Sequence, residues 1–450
     1  MMAMFVWVAG LLSLNIMKIK KIELINFRCF KKYELELSDR FTLLIGDNGS
    51  GKTAVLDALA IAAGGYLLGI PSIGQNDKRY ISRDDVHYKE LTMGQTVIRE
   101  TEEYLTMVSA KGFVNNEKIT WTRYKDIKTS HQQAKTIISL VKKLTKETTN
   151  SNILFPVIAH YDTGRLWKKT NNEKIETLRP DSRLLGYRKC LNTAVDLKQL
   201  FRWFKSQELA ALQKQERRHI LEVVREAIIS MIPYAKKVWW DVSWDEILIE
   251  TTIQGKTQTI PFHLLSDGYR CMIGMVAEIA YRMATLNPQL EADVIKQTEG
   301  IVLIDEIDLH LHPKWQKQVV GHLLDTFPKV QFVASSHSPF IIQSLYHRKD
   351  CLLWDLEKNT PVEVDSKSIE DIAENQQGVK IPQQSQRFLD MEKAAEEYYT
   401  VLKQIPPAGE DEKQRLRQRL DKLLLPYSDD PAFQAFLKME RQAVEGSEEE

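Results

Sequence analysis

Apolar and polar residues alternate with a period of two over KIKKIELINF (18–27), which predicts a half-buried strand. The run DRFTLLIG (39–46) is largely apolar from Phe41 to Ile45, ends in glycine and predicts a buried strand. From about Lys52 to Tyr66 the spacing turns helical. Residues 94–125 alternate again around Asn115-Asn116 and predict a β-meander. HQQAKTIISLVKKL then reads as a helix and NILFPVIAHY as a buried strand. From 194 to 232 apolar residues recur every third or fourth position, a helical arm ended by Pro233. WDEILIETTIQGKTQTI predicts a hairpin turning at Gly255. There follow a helix from about Asp267 to Ala284, the strand GIVLIDE, a helix from Lys314 to Leu324 and the strand QFVASSH. Strands alternating with helices predict a mostly parallel, layered α/β fold.

The pattern divides the chain into an N-terminal extension (1–17), a first lobe (18–193), the arm (194–236), a second lobe (237–365) and a helical C-terminal region (366–450). The opening MMAMFVWVAGLLSLNIMK is apolar, lacks a basic n-region and falls short of the roughly 20 residues that span a bilayer. Met17 is the expected native start, with the preceding segment an extension of the reading frame. The C-terminal region places Tyr398, Tyr399, Val401, Leu402 and Ile405 in one apolar set. Leu423, Leu424, Leu425, Phe433, Phe436 and Leu437 form another. Apolar surface of this kind predicts a docking region for a partner.

With 61 basic and 61 acidic residues the net charge is +0, so any nucleic-acid contact would need a local basic patch. Cys29, Cys190, Cys271 and Cys351 form no CxxC pair, which argues against a zinc knuckle or a disulfide framework and for a cytoplasmic compartment.

Gly46-Asp47-Asn48-Gly49-Ser50-Gly51-Lys52-Thr53 fits the P-loop, in the strand-to-helix context the motif requires. Its glycines, with Asn48 and Ser50 between them, let backbone N–H groups turn inward on phosphate oxygens, and the helix N-terminus adds its dipole. Lys52 reaches the β- and γ-phosphates and Thr53 ligates Mg²⁺, which makes ATP and Mg²⁺ the expected ligands. The strand Ile301–Ile304 ends in Asp305 and Glu306. Two carboxylates closing a buried strand waste desolvation energy unless a cation or a proton transfer uses them. Asp305 is the expected Mg²⁺ partner and Glu306 the general base that polarises the attacking water.

Leu265-Ser266-Asp267-Gly268-Tyr269-Arg270 opens a long helix. Ser266 reads either as a plain N-cap or, with Gly268, as an ABC-type signature that holds the γ-phosphate bound to another protomer. Ala334-Ser335-Ser336-His337-Ser338-Pro339 closes an apolar strand at the edge where α/β sheets collect ligands, and His337 is the candidate switch histidine. Asp308-Leu309-His310-Leu311-His312-Pro313 reads as interface contacts beside the nucleotide (a D-loop) in preference to a metal site, because two histidines lack a third ligand. Ala159-His160-Tyr161-Asp162-Thr163-Gly164-Arg165 is either a Q-loop equivalent or an ordinary loop.

As a set and in this order, these motifs resemble the SMC/RecF/OLD branch of ABC-type ATPases over residues 18–345. NFRCF (Asn26 to Phe30) looks like that branch's N-terminal strand, which implies that Arg28 lies near the nucleotide. The resemblance implies an ABC-type P-loop ATPase head with a short helical arm in place of a long coiled coil. SQRFLDMEKAAEEYYTVLK and YSDDPAFQAFLKMERQA are similar to the tails of PtuA ATPases from Septu-type and retron-associated anti-phage systems. That similarity implies an ATPase working with a separate nuclease of HNH or Toprim type. PARIS-type defence ATPases and RecF-like DNA-repair ATPases are the alternatives. Head-to-tail pairing, with Lys52 from one protomer and Ser266 from another, implies a homodimer or a higher oligomer. After His337 there is no Asp-x-Asp and no His-Asn-His cluster, so no nuclease chemistry is expected in this chain.

Overall fold

A computed structural model describes residues 16–93, 96–101, 105–125, 134–147, 150, 152–164, 182–193, 195, 197–232, 234–253, 255–364 and 368–378. In the C-terminal part it describes 390, 393–395, 397–398, 400–401 and 409–424. The chain divides into two compact units, Met1–Lys367 and Ser368–Glu450.

The first unit opens with β1 (Met17–Phe27) and β2 (Phe30–Glu36), a hairpin turning through Arg28 and Cys29. FKKYELE alternates as a strand should, with Tyr33 and Leu35 inward, so β2 adds a strand to the two expected over 18–45. β3 (Phe41–Ile45) leads into the P-loop and α1 (Lys52–Leu68). β4 (Tyr88–Met93) and β5 (Thr96–Thr101) form a two-stranded sheet, pairing with no other strand among the described residues. β6 (Thr106–Val114) and β7 (Glu117–Lys125) form a hairpin closed by Asn115 and Asn116, both at positive φ (48° and 66°). The expected meander is thus two separate pairings. β6 inserts beside β1, giving an antiparallel sheet ordered β2-β1-β6-β7.

After α2 (Lys135–Leu144) comes β8 (Val157–Tyr161). The stretch expected as one helical arm is two helices, α3 (Leu197–Lys214) and α4 (His219–Ser230), broken at Gln215 with φ 54°. β9 (Ala235–Asp241), β10 (Glu246–Ile253) and β11 (Lys256–Pro261) make a three-stranded antiparallel sheet, with Gly255 at φ 77° in the hairpin turn. Then follow α5 (Asp267–Leu286), the short α6 (Val294–Gln297), β12 (Gly300–Ile304) and α7 (Pro313–Thr326). β13 (Val330–Ser335), α8 (Pro339–Gln343), β14 (Cys351–Asp355) and β15 (Thr360–Val362) complete the unit.

The central sheet is ordered β15-β14-β3-β13-β12-β8 and is parallel except for β15. Ile301, Val302, Leu303 and Ile304 are wholly buried, each such side chain stabilising by about 2 kcal/mol. Ile158, Ile301 and Leu303 share one apolar cluster with Ala54, Val55 and Leu59 of α1. That packing seats the P-loop helix on the sheet and places the C-terminal ends of β3, β12 and β13 side by side.

The second unit contains α9 (Ile369–Asn375), capped by the Ser368 hydroxyl on Glu370 N and Asp371 N, and a helix over Glu410–Leu424. Arg419 pairs with Glu397 at 2.8 Å, and Tyr398 and Leu420 are buried. The side chains of Tyr399, Leu402, Ile405, Leu424, Leu425, Phe433, Phe436 and Leu437 lie outside the described residues, as do residues 1–15. β1 begins at Met17, and Ile16 is already engaged through its N–H to Glu299 Oε2 at 2.7 Å.

Candidate functional site

The P-loop wraps the end of β3. Gly46, Gly49 and Gly51 have φ of 141°, 89° and 98°, a left-handed run that side-chain-bearing residues resist. At Gly51 space forbids a side chain as well, since a Cβ would stand 2.4 Å from the Phe30 ring and 2.8 Å from Cys29 Sγ. The β1–β2 turn therefore clamps the P-loop. Lys52 Nζ donates to Gly46 O at 2.7 Å and Asp47 O at 2.9 Å. Burial pushes this ammonium below the usual lysine range, opposed by the charges of Asp305, Asp47, Glu306 and Glu357.

Thr53 Oγ1 donates to Asp305 Oδ2 at 2.7 Å, joining α1 to the end of β12. Ser335, at the end of β13, donates its hydroxyl to Asp305 Oδ1 and accepts from Glu306 N at 2.8 Å. One serine thus binds both acidic residues of the β12 edge. Glu306 is only partly buried and sits at φ 47°, a conformation that turns the chain sharply after Asp305. Asp305 N donates to Tyr161 O at 2.8 Å and Ile307 N to Ser335 O at 3.0 Å, so β8 and β13 hold this turn from both sides.

His337 is exposed between Ser336, which ties its loop to Asp308, and Ser338, which ties it to α7. Ser336 Oγ donates to Asp308 Oδ1 at 2.5 Å, and Ser338 Oγ donates to Gln316 Oε1 at 2.6 Å. His312 caps α7 through its Nδ1, and no cluster of three metal-ligating side chains occurs among the described residues.

Ser266 occupies the N-cap position of α5 with extended backbone, but its hydroxyl makes no capping bond and its side chain is exposed. Gly268 lies against the D-loop so closely that a Cβ would meet His310 O at 2.3 Å. The Tyr269 ring packs edge-on to Trp315 at 5.2 Å. Ser266 thus stands at a helix N-terminus braced on the D-loop, with its hydroxyl turned to solvent.

Arg28, at φ 48° in the β1–β2 turn, pairs with Asp57 of α1 at 2.7 Å and with Asp85 at 2.8 Å. Arg79 joins the same two carboxylates. Arg28 is thereby placed beside the P-loop helix as part of a four-residue ion network. Asn48 and Gly49 form the exposed tip of the loop. Of the Q-loop candidate, β8 ends at Tyr161, and Asp162 accepts from Gly164 N at 2.8 Å; Arg165 lies outside the described residues.

Three participants had no role in the motif reading. Ser335 sat inside a quoted motif, but only the parallel register of β13 against β12 reveals that it serves Asp305 and Glu306. His160 is buried on β8, opposite Leu303, with neither ring nitrogen hydrogen-bonded among the described residues. Glu357 reaches the P-loop from the turn after β14.

The residues present suit a magnesium nucleotide. Left-handed glycines open the loop, a lysine stands inside it, and a hydroxyl–carboxylate pair lies where a hard cation takes oxygen ligands.

A family model described as "AAA domain, putative AbiEii toxin, Type IV TA system" matches residues 41–343, and one described as "P-loop containing region of AAA domain" matches 19–62. The "Retron Vc95 probable ATPase" of Vibrio cholerae serotype O1 biovar El Tor is 25% identical over 73% of this chain and 72% of its own. The "Retron Ec83 probable ATPase" of Escherichia coli is 26% identical over 73% and 70%. "Septu protein PtuA" of Bacillus mycoides is 24% identical over 90% of this chain and 50% of its own. Among solved structures, an SMC head domain from Thermotoga maritima covers 75% of this chain and 94% of its own at 15% identity, with a TM-score of 0.40. The first model spans more than half of the chain and encloses the P-loop, Ser266, Asp305, Glu306 and His337. The protein therefore belongs to this AAA-domain family, carries its P-loop, and is similar to retron ATPases and Septu PtuA.

Proposed function

We propose that this chain binds and hydrolyses ATP with Mg²⁺ and, in oligomers, serves a prokaryotic anti-phage defence complex by regulating a separate nuclease. One observation carries the catalytic part: Thr53, Asp305, Ser335 and Glu306 form a single hydrogen-bonded chain linking P-loop helix, acidic strand and switch strand. Lys52 leaves the loop carbonyls for the phosphates and supplies positive charge there. When bound, Mg²⁺ neutralises phosphate charge, with Thr53 as its ligand and Asp305 behind it. Ser335 holds Asp305 and the Glu306 backbone in place, and the Glu306 carboxylate orients the attacking water and takes its proton. His337 and Arg28 act at the edges of the same site.

The exposed, uncapped Ser266 supports a composite site, in which the start of α5 meets a nucleotide held by another copy. The defence role rests on similarity to proteins named as retron ATPases and Septu PtuA. No helix among the described residues is long and apolar enough to cross a membrane, and a cytoplasmic complex is the proposed setting. A separate nuclease of HNH or Toprim type is the proposed partner, and DNA or another nucleic acid a further one.

Lys52→Ala and Glu306→Gln test the site together. Equilibrium binding should be lost in the first and retained in the second, while turnover falls by at least about 100-fold in both. Wild-type turnover in either variant would sink the assignment.

A further inference from the structure

β14 flanks β3 on the side away from β13 and β12, and its ladder with β3 runs through Asp355 and Ile45. The pairing continues one step, with Leu356 N donating to Ile45 O at 3.0 Å. The chain then turns. The buried Asp355 carboxylate accepts from Glu357 N at 2.9 Å and Lys358 N at 3.2 Å, and Asn359 takes a left-handed φ of 52°. This turn delivers Glu357 to the P-loop, where its Oε1 accepts the Asp47 N–H at 2.6 Å.

The Asp47 residue is thus held at both of its backbone groups. Its carbonyl accepts Ser50 N at 3.2 Å and Lys52 Nζ at 2.9 Å, and the neighbouring Gly46 carbonyl takes the lysine's other bond at 2.7 Å. Lys52 must leave both carbonyls to reach a phosphate. At that moment the loop loses two of its internal ties, while the tie to Glu357 comes from outside and survives.

We propose that Glu357 is a positioning residue for nucleotide binding: it pins the backbone at Asp47 so that the P-loop keeps its phosphate-receiving shape when Lys52 swings to the nucleotide. The proposal rests on reading this site as an ATP site. A carboxylate here has two opposed effects, since it accepts a short hydrogen bond but also brings negative charge toward an incoming polyanion. Glu357 is exposed, so solvent and salt screen the charge, whereas the direct bond to the amide persists. The pin outweighs the repulsion.

The test compares the full-length wild type with Lys52→Ala, Glu357→Ala and Glu357→Gln, using equilibrium binding of Mg·ATP and steady-state hydrolysis. Glu357→Ala should raise Kd and KM roughly fivefold, the weight of one net hydrogen bond, with kcat little changed. Glu357→Gln keeps an oxygen acceptor and should recover most of that loss, and both variants should melt with the wild type. Wild-type or tighter binding by Glu357→Ala overturns the proposal, the latter by making charge repulsion dominant. A lowered melting temperature with unaltered affinity overturns it too, by making the contact merely structural. If Lys52→Ala binds as the wild type does, the ATP-site reading itself falls and the pin falls with it, a result distinct from failure of Glu357 alone.

Discussion

His160 sits within the central sheet at 2% exposure, with neither imidazole nitrogen hydrogen-bonded among the described residues and with Asp57, Asp305 and Asp162 as its acidic neighbours. Burial pushes its pKa below the ordinary 6.5, and the carboxylates only partly offset this. The folded protein therefore binds fewer protons at this position than the unfolded chain does once pH drops below about 6.5. The stability linked to a neutral His160 is complete above that pH and is lost as pH falls further. His160→Leu removes a buried polar group, so it should be at least as stable as the wild type at pH 8 and gain on it as the pH falls. Urea denaturation at pH 8 and pH 5 measures this; an equal acid sensitivity in both proteins would show that other groups govern the acid limb.

α5 is the element on which the composite-site reading depends. Its N-terminus carries Ser266 and leans on the D-loop at Gly268. Further along, the buried Glu278–Arg282 pair sends Arg282 Nη1 to the carbonyls of Gly186 at 2.8 Å and Arg188 at 2.9 Å. One rigid helix thus fixes both the signature position and the segment that follows the Q-loop candidate. Gly268→Ala would press a methyl group into the His310 carbonyl, and a backbone atom cannot swing aside as a side chain does. We expect a loss of about 1–3 kcal/mol in urea denaturation together with reduced turnover. An alanine variant of wild-type stability and activity would mean that α5 shifts freely against the D-loop. Gly409→Ala, with no atom of the described residues within 4 Å of the added Cβ, serves as the control.

At the scale of the whole molecule, the proposals concern partners. Ser266→Arg should leave nucleotide affinity of the isolated chain near wild type and abolish ATP-dependent association, measured by light scattering. Mixed with Lys52→Ala, it should restore at most one working site per dimer. Full turnover by Ser266→Arg alone would reduce Ser266 to the ordinary start of a helix. The second compact unit begins at Ser368, and it contains the region proposed to dock the nuclease. Ending the chain after Lys367 should preserve nucleotide binding and turnover while eliminating co-purification with the nuclease. Loss of ATP binding on truncation would instead make the C-terminal region part of the ATPase. Because Tyr398 is buried, it is a poor candidate for the docking face, although it falls in the apolar set read there.

Much of the fold was legible in one dimension because its strongest signals are local. A fully buried parallel strand must be apolar along its whole length, and a loop that cradles phosphate needs glycine, lysine and threonine at fixed spacing, so β3, β12, β13 and the P-loop declare themselves. The same locality explains the misreadings. Alternation in 94–125 marks strands but not their partners, and pairing between β6 and β1 is a choice among distant segments. The helical arm over 194–232 is helical as its spacing says, but the break at Gln215 costs no apolar periodicity and so leaves no mark in the pattern. At the site, side-chain identity named Lys52, Thr53, Asp305 and Glu306. Their connection through Ser335, the tying of Arg28 to Asp57 and Asp85, and the reach of Glu357 to Asp47 arise from register and packing between segments far apart in the chain. Hydrogen bonds of that kind have no period and no spacing, and come into being only when the central sheet assembles.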